Sequence, residues 1–163
     1  MGMLCVYMLA DEDTMNRLTD DEDLTEAVEE YGEEESTESY DIDKMWDGLH
    51  FLLTGVTAQE PVEGNPLSEA VIGTHVFDCE DFIAYSAPGD VARIAAALNE
   101  VDIEALIQAM DIEKFHKAEI YPNIWVKKNE ELLKNELLTA FNELKAFYQK
   151  AKERNTGVLV SIY

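Results

Sequence analysis

A single α+β domain, built from a small mixed or antiparallel sheet of about four to five short strands packed against several helices, is the fold class this sequence predicts. Three observations carry the prediction. Apolar runs with strand composition stand at the two ends, GMLCVYML and VLVSIY, and two shorter ones lie in the middle at His75–Phe77 and Phe82–Ser86. The segments between them repeat apolar residues at three- and four-residue spacing, the period of an amphipathic helix. Strands and helices follow in uneven order, which does not suit a regular βαβ array. The 163 residues, 47% hydrophobic, suffice for one core, so one domain is expected across 1–163.

The first strand is bounded by Gly2 and by the polar cluster starting at Asp11. Met15 and Leu18 suit a short helix. Leu24, Ala27, Val28 and Tyr31 suit a second, favoured at its N-terminus by the acidic run Asp20 to Asp23 and closed by Gly32. The segment EEESTES, Glu33 to Ser39, lacks periodicity and reads as a solvated loop. In DIDKMWDGLHFLLTG, Asp41 to Gly55, the residues Ile42, Met45, Trp46, Leu49, Leu52 and Leu53 fill one arc of a helical wheel, and Gly55 is placed to stop that helix. His50 falls at the edge of the arc, beside Asp43, Asp47 and Thr54.

The run VTAQEPVEGNPL reads as a long loop; Asn65 then supplies an N-cap and Pro66 a first helical residue for a short helix ending at Gly73. DCED is the turn between the two middle strands. Pro88 opens a helix with Val91, Ile94, Ala95, Leu98 and Val101 inward, and Asp102 and Asp111 are placed to cap two more. Pro122 pushes Tyr121 towards an extended conformation. The longest helix is expected from about Asn129 to Arg154, with Leu133, Leu137, Ala140, Phe141, Leu144, Phe147, Tyr148 and Ala151 on one face. Gly157 ends it, and a last strand follows. That apolar face could serve a dimer as readily as a core, so oligomeric state stays open.

Charge sets the functional expectations. Thirty-five acidic residues against 12 basic give a net charge of −23. Such a surface disfavours nucleic acid and anionic membrane and attracts cations or a basic protein; it also keeps a protein soluble with no specific role. The charge is uneven: Asp11 to Asp47 holds seventeen acidic residues and only Arg17 and Lys44 as basic ones, whereas Lys114 to Arg154 holds nine of the twelve basic residues. No apolar run approaches the roughly 20 residues of a membrane span, the N-terminus lacks a signal-peptide pattern, and Val6 replaces the Ser or Thr of a myristoylation signal. A soluble, cytoplasmic protein is the expectation.

Candidate chemistry centres on His50 with Asp47 and Asp43. Asp47, three residues earlier on a helix, could orient the imidazole as a general base, although no nucleophile or metal accompanies it locally; a boundary histidine bonded to Asp or backbone satisfies the same pattern. Cys5, in a buried-looking strand, and Cys79, flanked by Asp78, Glu80 and Asp81, are poor thiolates. His75, Asp78 and Cys79 lack the second ligand pair of a zinc site, and DIDKMWDG does not keep EF-hand spacing, so no metal or other cofactor is expected. Phosphate-binding glycine motifs and the G-x-S-x-G elbow are missing from the sequence. Ser36, Ser39, Ser68 and Ser86 read as turn or cap residues. Tyr40, Tyr121 and Trp125 lie in or beside irregular segments, where aromatics either anchor a partner or cover the edges of a core.

Four motifs in order, DIDKMWDGLHFLLTG, NPLSEAVIG, IYPNIW and AFYQKAKERNTGVLVSIY, resemble the YfbM-like family of small bacterial proteins, a domain of unknown function; the resemblance extends over nearly the whole chain from MGM onward. It implies one α+β domain of bacterial origin and brings no reaction, cofactor or catalytic residue. One departure is the Ala87-Pro88-Gly89-Asp90 start of the central helix, where the family usually has Thr-Pro-Glu-Glu; the change weakens that helix end by about 1 kcal/mol.

The reading that best fits is a non-enzymatic module for a basic protein partner, of inhibitor or immunity type, with Trp46, His50, Tyr121 and Trp125 as candidate binding residues. The alternative is a small hydrolase or ligand-binding enzyme with His50, Asp47 and Asp43 in a pocket near the Asn65-Pro66 loop.

Overall fold

The computed structural model describes residues 2–163. In chain order the elements are β1 (Cys5–Ala10), α1 (Glu12–Thr19), α2 (Leu24–Glu33), β2 (Ser39–Asp43), α3 (Trp46–Thr54), α4 (Pro66–Ile72), β3 (His75–Phe77), β4 (Phe82–Ser86), α5 (Pro88–Asn99), α6 (Ile103–Ala109), α7 (Ile112–Lys117), a 3-10 turn at Lys127–Asn129, α8 (Glu130–Glu153) and β5 (Gly157–Ile162). The strands form one five-stranded sheet in the order β2-β1-β5-β4-β3. Every neighbouring pair is antiparallel, and the first and last strands lie side by side, with Cys5 opposite Ile162 and Ala10 opposite Gly157. The fold is α+β, with the long helix and the last strand in the expected order.

Side chains alternate across a strand, so each buried strand feeds two layers. Cys5, Tyr7 and Leu9 of β1, with Val158, Val160 and Ile162 of β5, join the larger core made with α3 to α8. Met8 and Ala10, with Ile83, Tyr85 and Leu159, pack on the opposite face against Met15 and Leu18 of α1 and Ala27 and Val28 of α2. The molecule is thus helix, sheet and helices in three layers. The apolar face of α8 is consumed inside it: Leu133, Leu137, Phe141, Leu144 and Tyr148 are all buried.

Caps follow the sequence closely. Asn65 Oδ1 accepts from Leu67 N, Asp102 Oδ1 from Ala105 N and Asp111 Oδ1 from Glu113 N, each relieving an orphan donor at a helix start. Gly55 adopts φ 83° at the end of α3, the left-handed conformation that ends a helix without a Cβ penalty. Ala87 gives α5 no side-chain cap bond.

Three expectations are corrected. The helix expected from Asp41 begins only at Trp46, because Ser39–Asp43 pairs with β1 as an edge strand. Asp43, at φ 59° with its N–H bonded to Asp41 Oδ1 at 2.7 Å, turns the chain out of that strand. Gly32 does not close α2 but lies within it. Nor does Gly157 end α8: Asn155 takes the left-handed residue after the helix, φ 51°, and Gly157 opens β5. Its role is close approach, since a Cβ there would fall on the ring and hydroxyl of Tyr85, whose hydroxyl donates to the Ala10 carbonyl at 2.9 Å.

Candidate functional site

Asp47 and His50 lie on α3 and are completely buried. The carboxylate of Asp47 is saturated by the polypeptide: Oδ1 accepts the Thr57 hydroxyl at 2.9 Å and the Ala58 N–H at 2.7 Å, and Oδ2 accepts the Tyr121 N–H at 2.9 Å. It pins the loop after α3 and the segment before Pro122 to one helix turn. A carboxylate with three donors in place has no need of the imidazole.

His50 is held separately. Its Nδ1 lies 2.8 Å from the Val56 carbonyl, which can only accept, so Nδ1 carries the proton. Nε2 is then the acceptor for the Ser68 hydroxyl at 2.7 Å, and the Ser68 oxygen in turn accepts the Val62 N–H at 3.0 Å. Burial lowers the pKa of the ring, against the smaller opposing effects of the Val56 bond and the Asp47 charge. The neutral tautomer therefore matches both the geometry and the burial.

Ser68 is the residue that sequence reasoning missed. It had read as a turn or cap residue, yet it is 1% exposed and is the hydroxyl partner of His50 across 18 positions. Only the sequence proximity of the Asn65-Pro66 helix to α3 hinted at the pair. A Ser–His contact invites comparison with nucleophilic catalysis, but that chemistry needs an open approach to the hydroxyl and an orienting group on the other ring nitrogen. Here the serine is sealed, and the other nitrogen faces a backbone carbonyl.

The expected group of His50, Asp47 and Asp43 is not assembled as a site. Asp43 is exposed at the end of β2, outside the helix that carries the other two. Among the candidate binding residues, Trp46 is buried, donates Nε1–H to the Met3 carbonyl at 3.0 Å and stacks on Tyr121 at 5.4 Å between centroids. Trp125 is buried against Phe115. Tyr121 is half-buried, with its hydroxyl accepting the Met3 N–H at 2.6 Å. Tyr40 stacks on Tyr7. Trp46, His50 and Trp125 thus present no open side chain in the free chain, because each fills space beside α3 or α8; Tyr121 alone of the four is partly accessible.

Burial pushes the Cys5 thiol up to about 12, and Cys79 Sγ donates to the Asp81 carbonyl at 3.1 Å. Among the described residues no group of three His, Cys, Asp or Glu side chains is placed to hold a metal ion, and no helix is long and apolar enough to cross a membrane.

The second candidate feature is the outer layer. Every acidic residue from Asp11 to Glu35 is exposed on α1, α2 or the turns beside them. Among the described residues none of these carboxylates forms an ion pair; within the acidic third only Glu38 does, with Lys150 at 3.1 Å and with Arg154. The basic C-terminal region therefore neutralises the patch at one point on its border. Between the α1–α2 turn and the β3–β4 hairpin, Asp21, Glu22 and Asp23 face a cleft shared with Asp78 and Glu80, which concentrates the charge further.

Comparison with known proteins agrees with this architecture. The model of a domain of unknown function, DUF1877, matches residues 1–161. Protein YfbM of Escherichia coli strain K12 is 29% identical over 126 residues, covering 76% of this chain and 75% of that protein. The crystal structure of YfbM from Escherichia coli, described as a protein of unknown function, superimposes with a TM-score of 0.83 at 25% identity, over 98% of this chain and 99% of that one. The chain belongs to the DUF1877, YfbM-like family.

Proposed function

We propose that the protein is a non-enzymatic binding module whose α1–α2 layer docks a basic protein partner, as an inhibitor or immunity-type protein would. The observation that carries this reading is the run of exposed carboxylates from Asp11 to Glu35, without ion pairs among the described residues, mounted on two helices fixed to the sheet by Met15, Leu18, Ala27 and Val28. Carboxylates held on a rigid layer and left unneutralised raise the local concentration of a cationic partner and speed its association. Surface solubility alone would be served as well by an even distribution of charge. The hydrolase reading has no such support, since His50 and Ser68 pair with each other and with backbone groups, and Asp47 is bonded separately to Thr57, Ala58 and Tyr121, all beneath the surface.

The test is capture from the native host with the wild type and with a variant carrying Glu12→Gln, Asp13→Gln, Glu26→Gln and Glu30→Gln. Retention of a basic protein at physiological salt, lost both at high salt and with the variant, is the expected result. Capture of nothing basic, or capture indifferent to salt and to the four substitutions, overturns the reading.

A further inference from the structure

The sheet ends at β2, and among the described residues no strand lies beyond it. The ladder fixes which backbone groups of β2 are spare. Leu4 and Tyr163 exchange both of their backbone bonds, at 2.8 and 3.0 Å, so the even-numbered residues of β1 bond to β5 and the odd-numbered ones to β2. The Leu9 N–H, which donates to the Glu38 carbonyl at 2.9 Å, follows that rule. On β2 the alternation commits Glu38 and Tyr40 to β1 and turns the N–H and C=O of Ser39 and Asp41 outward. Both residues are exposed, and among the described residues nothing bonds to these backbone groups.

Beside that edge runs an open groove of about 520 Å³, with β2 as one wall and α8 as the other. Ile42, Ile124 and Ala140 form its apolar part, and Glu136 and Thr139 stand on the exposed flank of α8. A strand added at the usual spacing of about 4.8 Å from β2 lies in this groove. Its side chains alternate: one set turns to α8, and the other to the face on which Asp41 stands, opposite Tyr40 and Ile42.

Charge selects the occupant. Asp41, Asp43, Glu136 and Glu143 line the groove against the single cation Lys44, and among the described residues none of these carboxylates forms an ion pair. A second copy is a poor occupant, because β2 paired with β2 brings the Asp41 and Asp43 carboxylates of both copies onto one face, where like charges repel. An acidic or neutral segment gains nothing from the carboxylates. A segment with a cation at every second residue gains from them and from the backbone edge together.

We propose that β2 receives an extended segment of a protein partner, bearing lysine or arginine at alternate positions, as a sixth strand of the sheet. It runs antiparallel to β2, like every existing neighbour pair, with its cations towards Asp41 and Asp43 and its apolar side chains over Ile124 and Thr139. The backbone groups of Ser39 and Asp41 hold the main chain, and the carboxylates choose the sequence. The proposal rests on the reading of a basic protein partner and names an element that receives it, without requiring the carboxylates of α1 and α2.

The experiment follows the full chain by ¹H–¹⁵N NMR and amide hydrogen exchange during titration with an acetylated, amidated heptapeptide of alternating lysine and valine, and with its glutamate–valine counterpart. Shifts centred on Ser39, Asp41 and Thr139 are expected for the lysine peptide, with exchange at the Ser39 and Asp41 amides slowed about tenfold or more at saturation. The glutamate peptide binds about tenfold more weakly or worse. Backbone N-methylation of one alternate set of the peptide, the lysines in the antiparallel register, abolishes binding, whereas methylation of the other set spares it. Asp41→Asn with Asp43→Asn lowers affinity about tenfold, and Thr139→Trp, which fills the groove from an exposed helix position, abolishes binding while the circular dichroism of the fold persists. The variant with four glutamines on α1 and α2 binds the peptide as the wild type does. No response at Ser39 and Asp41 by about 5 mM peptide, equal binding of the two peptides, equal loss from methylating either set, or shifts centred on Glu12, Asp13, Glu26 and Glu30 overturns the proposal. A failed titration beside a successful capture removes the strand site alone; a successful titration beside a failed capture removes the α1–α2 layer and leaves the strand site standing.

Discussion

The Asp47 carboxylate and the Tyr121 N–H meet at 2.9 Å although 74 positions separate them. With the Thr57 hydroxyl and the Ala58 N–H on its other oxygen, Asp47 is the acceptor around which three segments close. Asp47→Ala strips three donors of their partner, and each buried donor left unsatisfied costs about 1–3 kcal/mol. A loss of about 3 kcal/mol or more in urea unfolding is expected, with the slope of the transition unchanged. Asp47→Asn retains one acceptor but turns an NH₂ towards a donor, so its loss falls between wild type and Asp47→Ala. Wild-type midpoints for both variants would remove Asp47 from this role.

The buried imidazole makes stability depend on pH with a definite sign. Burial depresses the folded pKa of His50 below its ordinary 6.5. In the window between those two values the unfolded chain binds the extra proton, so stability rises with pH there. The contribution of neutral His50 is intact above the unfolded value and is lost as pH falls from about 6.5 through the folded pKa, with a slope of at most about 1.4 kcal/mol per unit for one proton. Carboxylates such as Asp11 and Glu38, whose pKa values are lowered, add their own losses at lower pH. The difference between wild type and His50→Gln, followed by urea unfolding from pH 8 to pH 5, isolates the histidine: the two curves converge as pH falls. Parallel curves contradict a neutral, buried His50.

The last carbonyls of α4 find their partners in two tyrosines rather than in the helix. Tyr7 donates to the Val71 carbonyl at 2.7 Å and Tyr148 donates to the Ala70 carbonyl at 2.8 Å. Burial raises the pKa of both phenols, so both remain donors at any working pH. Tyr148→Phe and Tyr7→Phe each lower stability by about 1–2 kcal/mol in denaturant titrations. Because the two carbonyls are adjacent, the double variant departs from the sum of the single losses. Neutral single substitutions would show that water replaces the phenols without penalty.

How much of this was legible in the chain depends on the range of the signal. Caps at Asn65, Asp102 and Asp111 were readable because cap and helix are neighbours. The inward face of α8 was readable because its period persists over many turns. β2 was not: its two inward side chains, Tyr40 and Ile42, are too few to separate an edge strand from the helix that follows, and Ile42 also fits the helical arc. At the His50 node, the residue types were visible, but their partners were not. Val56, Val62 and Ser68 take their places through loop closure, which no local pattern records. Gly157 read as a helix stop because nothing nearby in sequence announces the ring of Tyr85.

The strands β1 and β2 are immediate antiparallel neighbours, and everything from Asp11 to Glu38 is an excursion between them. A hairpin connection here has in effect been enlarged into a headpiece with its own small set of apolar contacts, while sheet register is kept by β5 on the far side of β1. The exposed residues of that headpiece can therefore be exchanged without retuning the principal core or the buried polar pairs beneath it.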